Sequence, residues 1–140
     1  VNGGLFFDRN VPVKAVLALK ILRPEVVGHA EVFAPDERDE VIVDEVARRG
    51  WSLLTRDAKM ALRPRQRRVL LDSRLHVFIN ADGGNLSTWD FFVLLVRHYG
   101  AIERIVATEA PAIFFYTGRY APRRRFFLDR DGAMQSVPHR

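Results

Sequence analysis

A chain of 140 residues with 22 Lys and Arg against 17 Asp and Glu carries a net charge of +5. That length and an apolar share of 48% fit one domain, residues 1–140, with a core that needs no covalent staple. The absence of cysteine excludes disulfides, thiolate metal sites and cysteine nucleophiles, and fits a reducing, cytoplasmic compartment.

No apolar run reaches the ~18 residues that span a bilayer, so no membrane segment is expected. No basic-then-apolar signal segment opens the sequence, which begins with Val rather than Met and leaves the true start open. Lys14, Lys20 and Lys59 are the only lysines, so the positive charge is almost all arginine, whose planar fork suits phosphate. Such a balance favours a nucleic-acid or acidic-protein partner. A genome rich in arginine codons would produce the same count.

Gly3-Gly4 leads into Leu5 to Phe7, which reads as a buried strand ending on Asp8, with Asp8-Arg9-Asn10 as the turn. Pro12 suits the first turn of a helix whose apolar face is Val13, Val16, Leu17, Leu19 and Leu22. Pro24 ends it, and Val26 to Ala30 is a second short strand. Asp36 is the expected cap of the next helix, with Glu37, Asp39 and Glu40 in its first turn, where the helix dipole favours anions. Val43, Val46 and Ala47 continue its apolar stripe, and Gly50 closes it. Trp51 to Leu54 follows as a strand that leads into Thr55-Arg56-Asp57. Two strand–helix units with short connections imply a parallel sheet, whose right-handed crossovers put Asp8 and Asp57 at the same carboxyl edge.

Beyond Asp57 come a short Ala/Met/Leu segment and the run Arg63-Pro64-Arg65-Gln66-Arg67-Arg68, then a short helix over Val69 to Leu71 and a strand over Leu75 to Ile79. Asp82-Gly83-Gly84-Asn85 reads as a turn, since it lacks the residues of a phosphate-binding loop. Ser87 or Thr88 caps an apolar helix from Trp89 to Tyr99. Gly100 is expected to interrupt that helix before a second over Ile102 to Ala107. Ala112 to Thr117 and Arg125 to Asp129 form a C-terminal hairpin with Gly118 to Arg124 between, and the tail from 132 to 140 is expected to fray.

The chemistry lies in three acids. Asp8 and Asp57 follow apolar strands, and Asp39 opens the helix before the Asp57 strand. Because that helix packs antiparallel to its strand, its start returns to the same edge. Carboxylates gathered there repel one another unless a cation joins them, and oxygen donors of this kind select Mg²⁺ or Mn²⁺. Such an ion activates water and stabilises charge on a phosphodiester. Each acid taken alone is also an ordinary cap or turn residue.

An N-terminal F-F-D-R-N-V-P and a G-W-S-L-L-T-R-D whose final Asp57 stands 18 residues after Asp39 resemble the PIN-domain ribonucleases, most closely the small VapC-type toxins of toxin–antitoxin systems. The resemblance spans roughly residues 5 to 60. It implies a three-layer α/β/α sandwich with a mainly parallel sheet, RNA as substrate, Mg²⁺ or Mn²⁺ as cofactor, and a cognate antitoxin as partner. It also implies Asp8, Asp39 and Asp57 as catalytic, metal-holding residues. Asn10 and Thr55 stand where the family has polar groups lining the site. Larger PIN domains carry a further acid between the first and the last two. Here Glu25 and Glu31 fall on no motif, and Glu37 or Glu40 are the candidates for it. With a reduced acid set, the alternative is a catalytically inert module that binds RNA or protein.

Arg63, Arg65, Arg67 and Arg68 are candidate phosphate contacts, against a solvated loop. Arg123-Arg124-Arg125 reads as solvated turn charge, or as a seat for an acidic antitoxin segment. His29, His76, His98 and His139 show no ligand spacing. A hydrogen-bonded structural role is the simpler reading of His29, near the sheet edge. A homodimer is a family expectation, with Phe91 and Leu95 as a candidate surface. A phosphoacceptor receiver would need paired acids after its first strand and a late-strand Lys, and the chain has neither.

Overall fold

The computed structural model describes residues 4–138, so Gly3 and His139 lie outside the described residues. The strands are β1 (Leu5–Phe7), β2 (Val27–Gly28), β3 (Ser52–Thr55), β4 (Val77–Asn80), β5 (Ile113–Tyr116), β6 (Arg123–Leu128) and β7 (Met134–Ser136). Among the described residues they form one sheet in the order β2-β1-β3-β4-β5-β6-β7. The first five pair in parallel, and β6 and β7 join antiparallel. Helices α1 (Val13–Leu22) and α5 (Thr88–Thr108) cover one face; α2 (Asp39–Arg48), α3 (Lys59–Leu62) and α4 (Pro64–Asp72) cover the other.

The three layers follow from strand periodicity. Phe7, Leu54, Phe78 and Phe114 point to the α1/α5 core, while Phe6, Leu53, Val77 and Phe115 point to the opposite one. Both faces are covered, so strands such as Leu5-Phe6-Phe7 are apolar at every position rather than alternating.

Several local expectations are corrected. The second strand is only Val27–Gly28, because the chain bends into a 3₁₀ turn at His29–Glu31, where the Glu31 carboxylate accepts from the Gly28 N–H at 2.6 Å. α1 buries Ala15, Val16 and Leu19 but leaves Val13, Leu17 and Leu22 exposed. The sheet ends at the two-residue β2, which offers little to cover the outer side of α1. α2 begins at Asp39 behind Arg38, not behind an Asp36 cap. Residues 35–37 are instead drawn into a loop by Arg9, as the site shows below.

The arginine run is helical rather than a loop: Pro64 stands in the first turn of α4, where its missing N–H is no loss. The Ser87 cap is present, its hydroxyl accepting from the Asp90 N–H at 3.0 Å. Gly100 does not interrupt α5, which runs unbroken to Thr108. A helical glycine costs about 1 kcal/mol, less than the burial of Tyr99, Ile102 and Ile105 around it contributes. The tail does not fray from Gly132 through Ser136. Asp129 accepts from the N–H groups of Asp131 and Ala133 and from the Gln135 amide, each at 2.9 Å, and turns the chain so that β7 pairs with β6. Phe91 and Leu95 are fully buried against the sheet, so they do not form a dimer surface.

Candidate functional site

The parallel strands bring their carboxyl ends to one edge. In the order β2-β1-β3-β4-β5, chain direction reverses across the sheet at β1, since one crossover leads outward to β2 and the rest lead toward β5. Crevices at such reversals are where open α/β sheets bind ligands. Asp8 extends β1 into this crevice, its N–H donating to Leu54 O at 2.9 Å. Thr55 ends β3 beside it.

One hydroxyl joins the two strand ends. Thr55 Oγ1 is fully buried and donates to Asp8 Oδ2 at 2.9 Å. It accepts from Asn10 Nδ2 at 3.1 Å and from the Asp57 N–H at 3.0 Å. Asn10 Oδ1 in turn accepts from the Arg56 N–H at 3.0 Å. The Asp8 carboxylate is buried, and its second oxygen accepts from the Arg9 N–H at 2.8 Å. Asp57 Oδ1 accepts from the Lys59 N–H at 2.9 Å and so starts α3. A single threonine thereby ties the Asp8 carboxylate to the Asp57 backbone, and Asn10 bonds to the same hydroxyl.

Asp39 is held differently. Arg9 Nη2 donates to Asp39 Oδ1 at 2.9 Å, while Nη1 donates to the carbonyls of Pro35 and Glu37, both at 2.9 Å. This clamp pins the loop before α2 and puts a guanidinium at Asp39. Arg9 was not singled out in the sequence, because its partners lie 26 to 30 residues away and leave no local signal. Arg9, Asp39 and the exposed Glu40 line a cleft of about 720 Å³ that reaches Met60, Arg65 and Leu70.

Asp8 and Asp57 meet at the Thr55 hub, whereas Asp39 is engaged by Arg9. Among the described residues, no three carboxylate or imidazole side chains gather closely enough to hold an ion between them. The donor set is still oxygen only, which suits a hard cation. Mg²⁺ is commonly held by one or two carboxylates with retained water, and Asp8 with Asp57 fits that habit.

The arginines after Asp57 divide. Arg67 lies 4.4 Å over the Phe126 ring and donates to Ala61 O, so it packs α4 onto β6. Arg68 pairs with Asp72 at 3.0 Å and reaches Gly132 O. Arg63 and Arg65 are exposed, and Arg65 lines the cleft with Asp39. His29 is buried beside Phe6 and Phe33, and its Nε2 has no hydrogen-bond partner, contrary to the hydrogen-bonded role expected of it. Burial pushes its pKa below the ordinary value, against the opposing pull of the Asp8 carboxylate. Asp82, read as a turn residue, accepts from the Gly118 N–H at 3.0 Å and ties the exits of β4 and β5 together.

The fold is a mainly parallel α/β sandwich with carboxylates after β1 and β3, flanking the reversal of strand order at its carboxyl edge. Residues 4–82, more than half of the chain, match the family model described as PIN like domain, and the chain belongs to that family. No curated protein and no solved structure matches it. The matched residues hold β1 to β4 and all three acids, while α5 and β5 to β7 lie beyond them. No helix among the described residues is long and apolar enough to cross a membrane.

Proposed function

We propose that the protein is a Mg²⁺- or Mn²⁺-dependent endoribonuclease acting at the crevice between β1 and β3. The observation that carries this reading is the Asp8–Thr55–Asp57 connection, in which one buried hydroxyl holds the Asp8 carboxylate and the Asp57 backbone N–H at the reversal of strand order. Asp8 and Asp57 would hold the ion, and Asp39 would join them on release from Arg9. A bound divalent ion supplies an activated water and stabilises charge on the phosphodiester. The chain's own part is to fix the Asp8 carboxylate through Thr55, itself held by Asn10, and to offer Arg65 to a neighbouring phosphate. A role as the toxin of a toxin–antitoxin pair, held in check by a cognate antitoxin, rests on the F-F-D-R-N-V-P and G-W-S-L-L-T-R-D segments alone.

The test is cleavage of labelled RNA in Mn²⁺ by the wild type, Asp8→Asn and Asp57→Asn. Both variants should lose at least ~100-fold in rate, as expected for removing a group that stabilises transition-state charge. Full activity in either one would remove the assigned site.

A second reading has its own support. The Arg9–Asp39 pair keeps the acid set open, as a catalytically weak RNA-binding module of the same fold would be. RNA binding that persists in EDTA, with no cleavage in Mn²⁺ or Mg²⁺, would select it.

A further inference from the structure

A groove between α3 and the β5–β6 hairpin is not accounted for by the acid crevice. It encloses about 630 Å³, with Ala58 on one wall and Thr117, Arg119, Tyr120 and Arg125 on the other. Ala58 directly follows Asp57, so the groove begins where the acids end. Its far wall belongs to the part of the chain beyond the residues matched to the family.

That wall is strongly basic. From Thr117 to Arg125 the sequence has four arginines and no acid. The arginines are also laid on rings. The Arg123 guanidinium lies 3.7 Å from the Tyr120 ring centroid, and Arg125 lies 5.3 Å from that of Phe115. Arg125 further donates to Val137 O at 2.8 Å, which fixes it as the inner member. Arg119 and Arg123 are exposed. Asp82, on the same groove, directs a carboxylate oxygen to the Gly118 N–H. Arg124 takes the other face of the strand, 3.8 Å over Phe127, and is no part of the groove. These residues are not the solvated turn expected of Arg123 to Arg125, because β6 already begins at Arg123.

We infer that this groove carries single-stranded RNA away from the acid crevice, an assignment that rests on the ribonuclease reading for the direction of the strand. Arg119 and Arg123 take phosphates, and a base lies against the Arg123–Tyr120 stack. A guanidinium held over a ring presents a charge beside an aromatic surface, and single-stranded nucleic acid uses both. An acidic peptide uses the charge alone.

The experiment is anisotropy of a labelled oligouridine of about 12 nucleotides, within the span such grooves cover, with the full chain in EDTA at several salt concentrations. Arg119→Glu combined with Arg123→Glu should weaken binding at least ~30-fold and lower the salt slope by about 1 to 2, as two lost phosphate contacts require. Tyr120→Leu should weaken it about fivefold and leave the slope unchanged. Arg97→Glu combined with Arg104→Glu makes the same charge change on exposed positions of α5 and should cost less than about threefold. Thermal unfolding confirms that each variant is folded, and Arg123→Lys provides a milder probe that keeps the charge but loses the plane.

Equal losses in the two double variants would overturn the inference, as would a folded wild type that binds no oligouridine. A surface that binds polyglutamate as well as RNA and ignores Tyr120→Leu would also overturn it, and would mark a seat for an acidic protein. The assay contains no metal, so it is independent of cleavage. Groove binding without activity in Mn²⁺ would sink the ribonuclease reading and leave the groove standing.

Discussion

The crevice between β1 and β3 and the hairpin of β5 and β6 lie on one sheet but are held by different forces. In the crevice, a buried hydroxyl, a buried carboxylate and backbone N–H groups satisfy one another through directional bonds. In the hairpin, guanidinium groups rest on aromatic faces with broad, shallow geometry. Directional bonds in low dielectric are costly to leave half-made, whereas a cation over a ring tolerates displacement. The crevice is thus suited to placing reacting groups, and the hairpin to gripping a variable polymer.

Thr55→Val tests that contrast most severely. The change keeps the shape and removes the hub, leaving Asp8 Oδ2, Asn10 Nδ2 and the Asp57 N–H short of a partner. We expect a loss of about 2–3 kcal/mol in urea unfolding, since each stranded buried group costs about 1–3 kcal/mol and the more exposed ones recover water. Thr55→Ser keeps the hydroxyl and should recover most of the difference.

His29 provides a pH-dependent counterpart on the crevice side. Its pKa is lowered in the folded state, chiefly by burial, so the unfolded chain binds its proton first as pH falls. Its contribution is fully present above the ordinary histidine value of about 6.5 and declines below it as pH falls toward the folded pKa. His29→Leu should flatten that part of the stability–pH curve. An unchanged slope would show that the imidazole is not kept neutral by its surroundings.

Arg124→Ala is the matching probe in the hairpin. It removes the guanidinium over Phe127 and should cost only about 0.5–1 kcal/mol, the range for a cation over a ring at an exposed site. If Arg124→Ala destabilised the protein more than Thr55→Val, the proposed division between the two regions would fail.

How far the sequence revealed this arrangement depends on the range over which each signal acts. Asp8, Asn10, Thr55 and Asp57 were visible because strand ends advertise themselves: a short apolar run, then a polar residue that must leave the sheet. The parallel sheet followed from the strand–helix alternation. Arg9 was not visible, since what it holds is the loop before α2, and no local pattern joins the two. The same contact displaced the expected Asp36 cap, because three donors from one guanidinium outweigh a single capping bond. The exposed side of α1 was hidden for a related reason: apolar spacing shows that a face exists, but coverage depends on where the sheet stops.

Gly100 is the subtlest case, and it leads to the smallest effect. Glycine in a helix signals a break, and the sequence alone argued for two helices. The structure keeps one helix because residues on both sides are anchored in the α1/α5 core, and the glycine itself faces solvent. A Cβ built there meets nothing within 4 Å. Alanine would therefore remove backbone freedom from the unfolded chain without strain in the folded one, and Gly100→Ala should stabilise by about 0.4–1 kcal/mol in thermal or urea unfolding. A loss of stability would instead mean that the helix needs to bend or open at this point, and α5 would then be two units meeting at a hinge rather than one rigid wall behind the sheet.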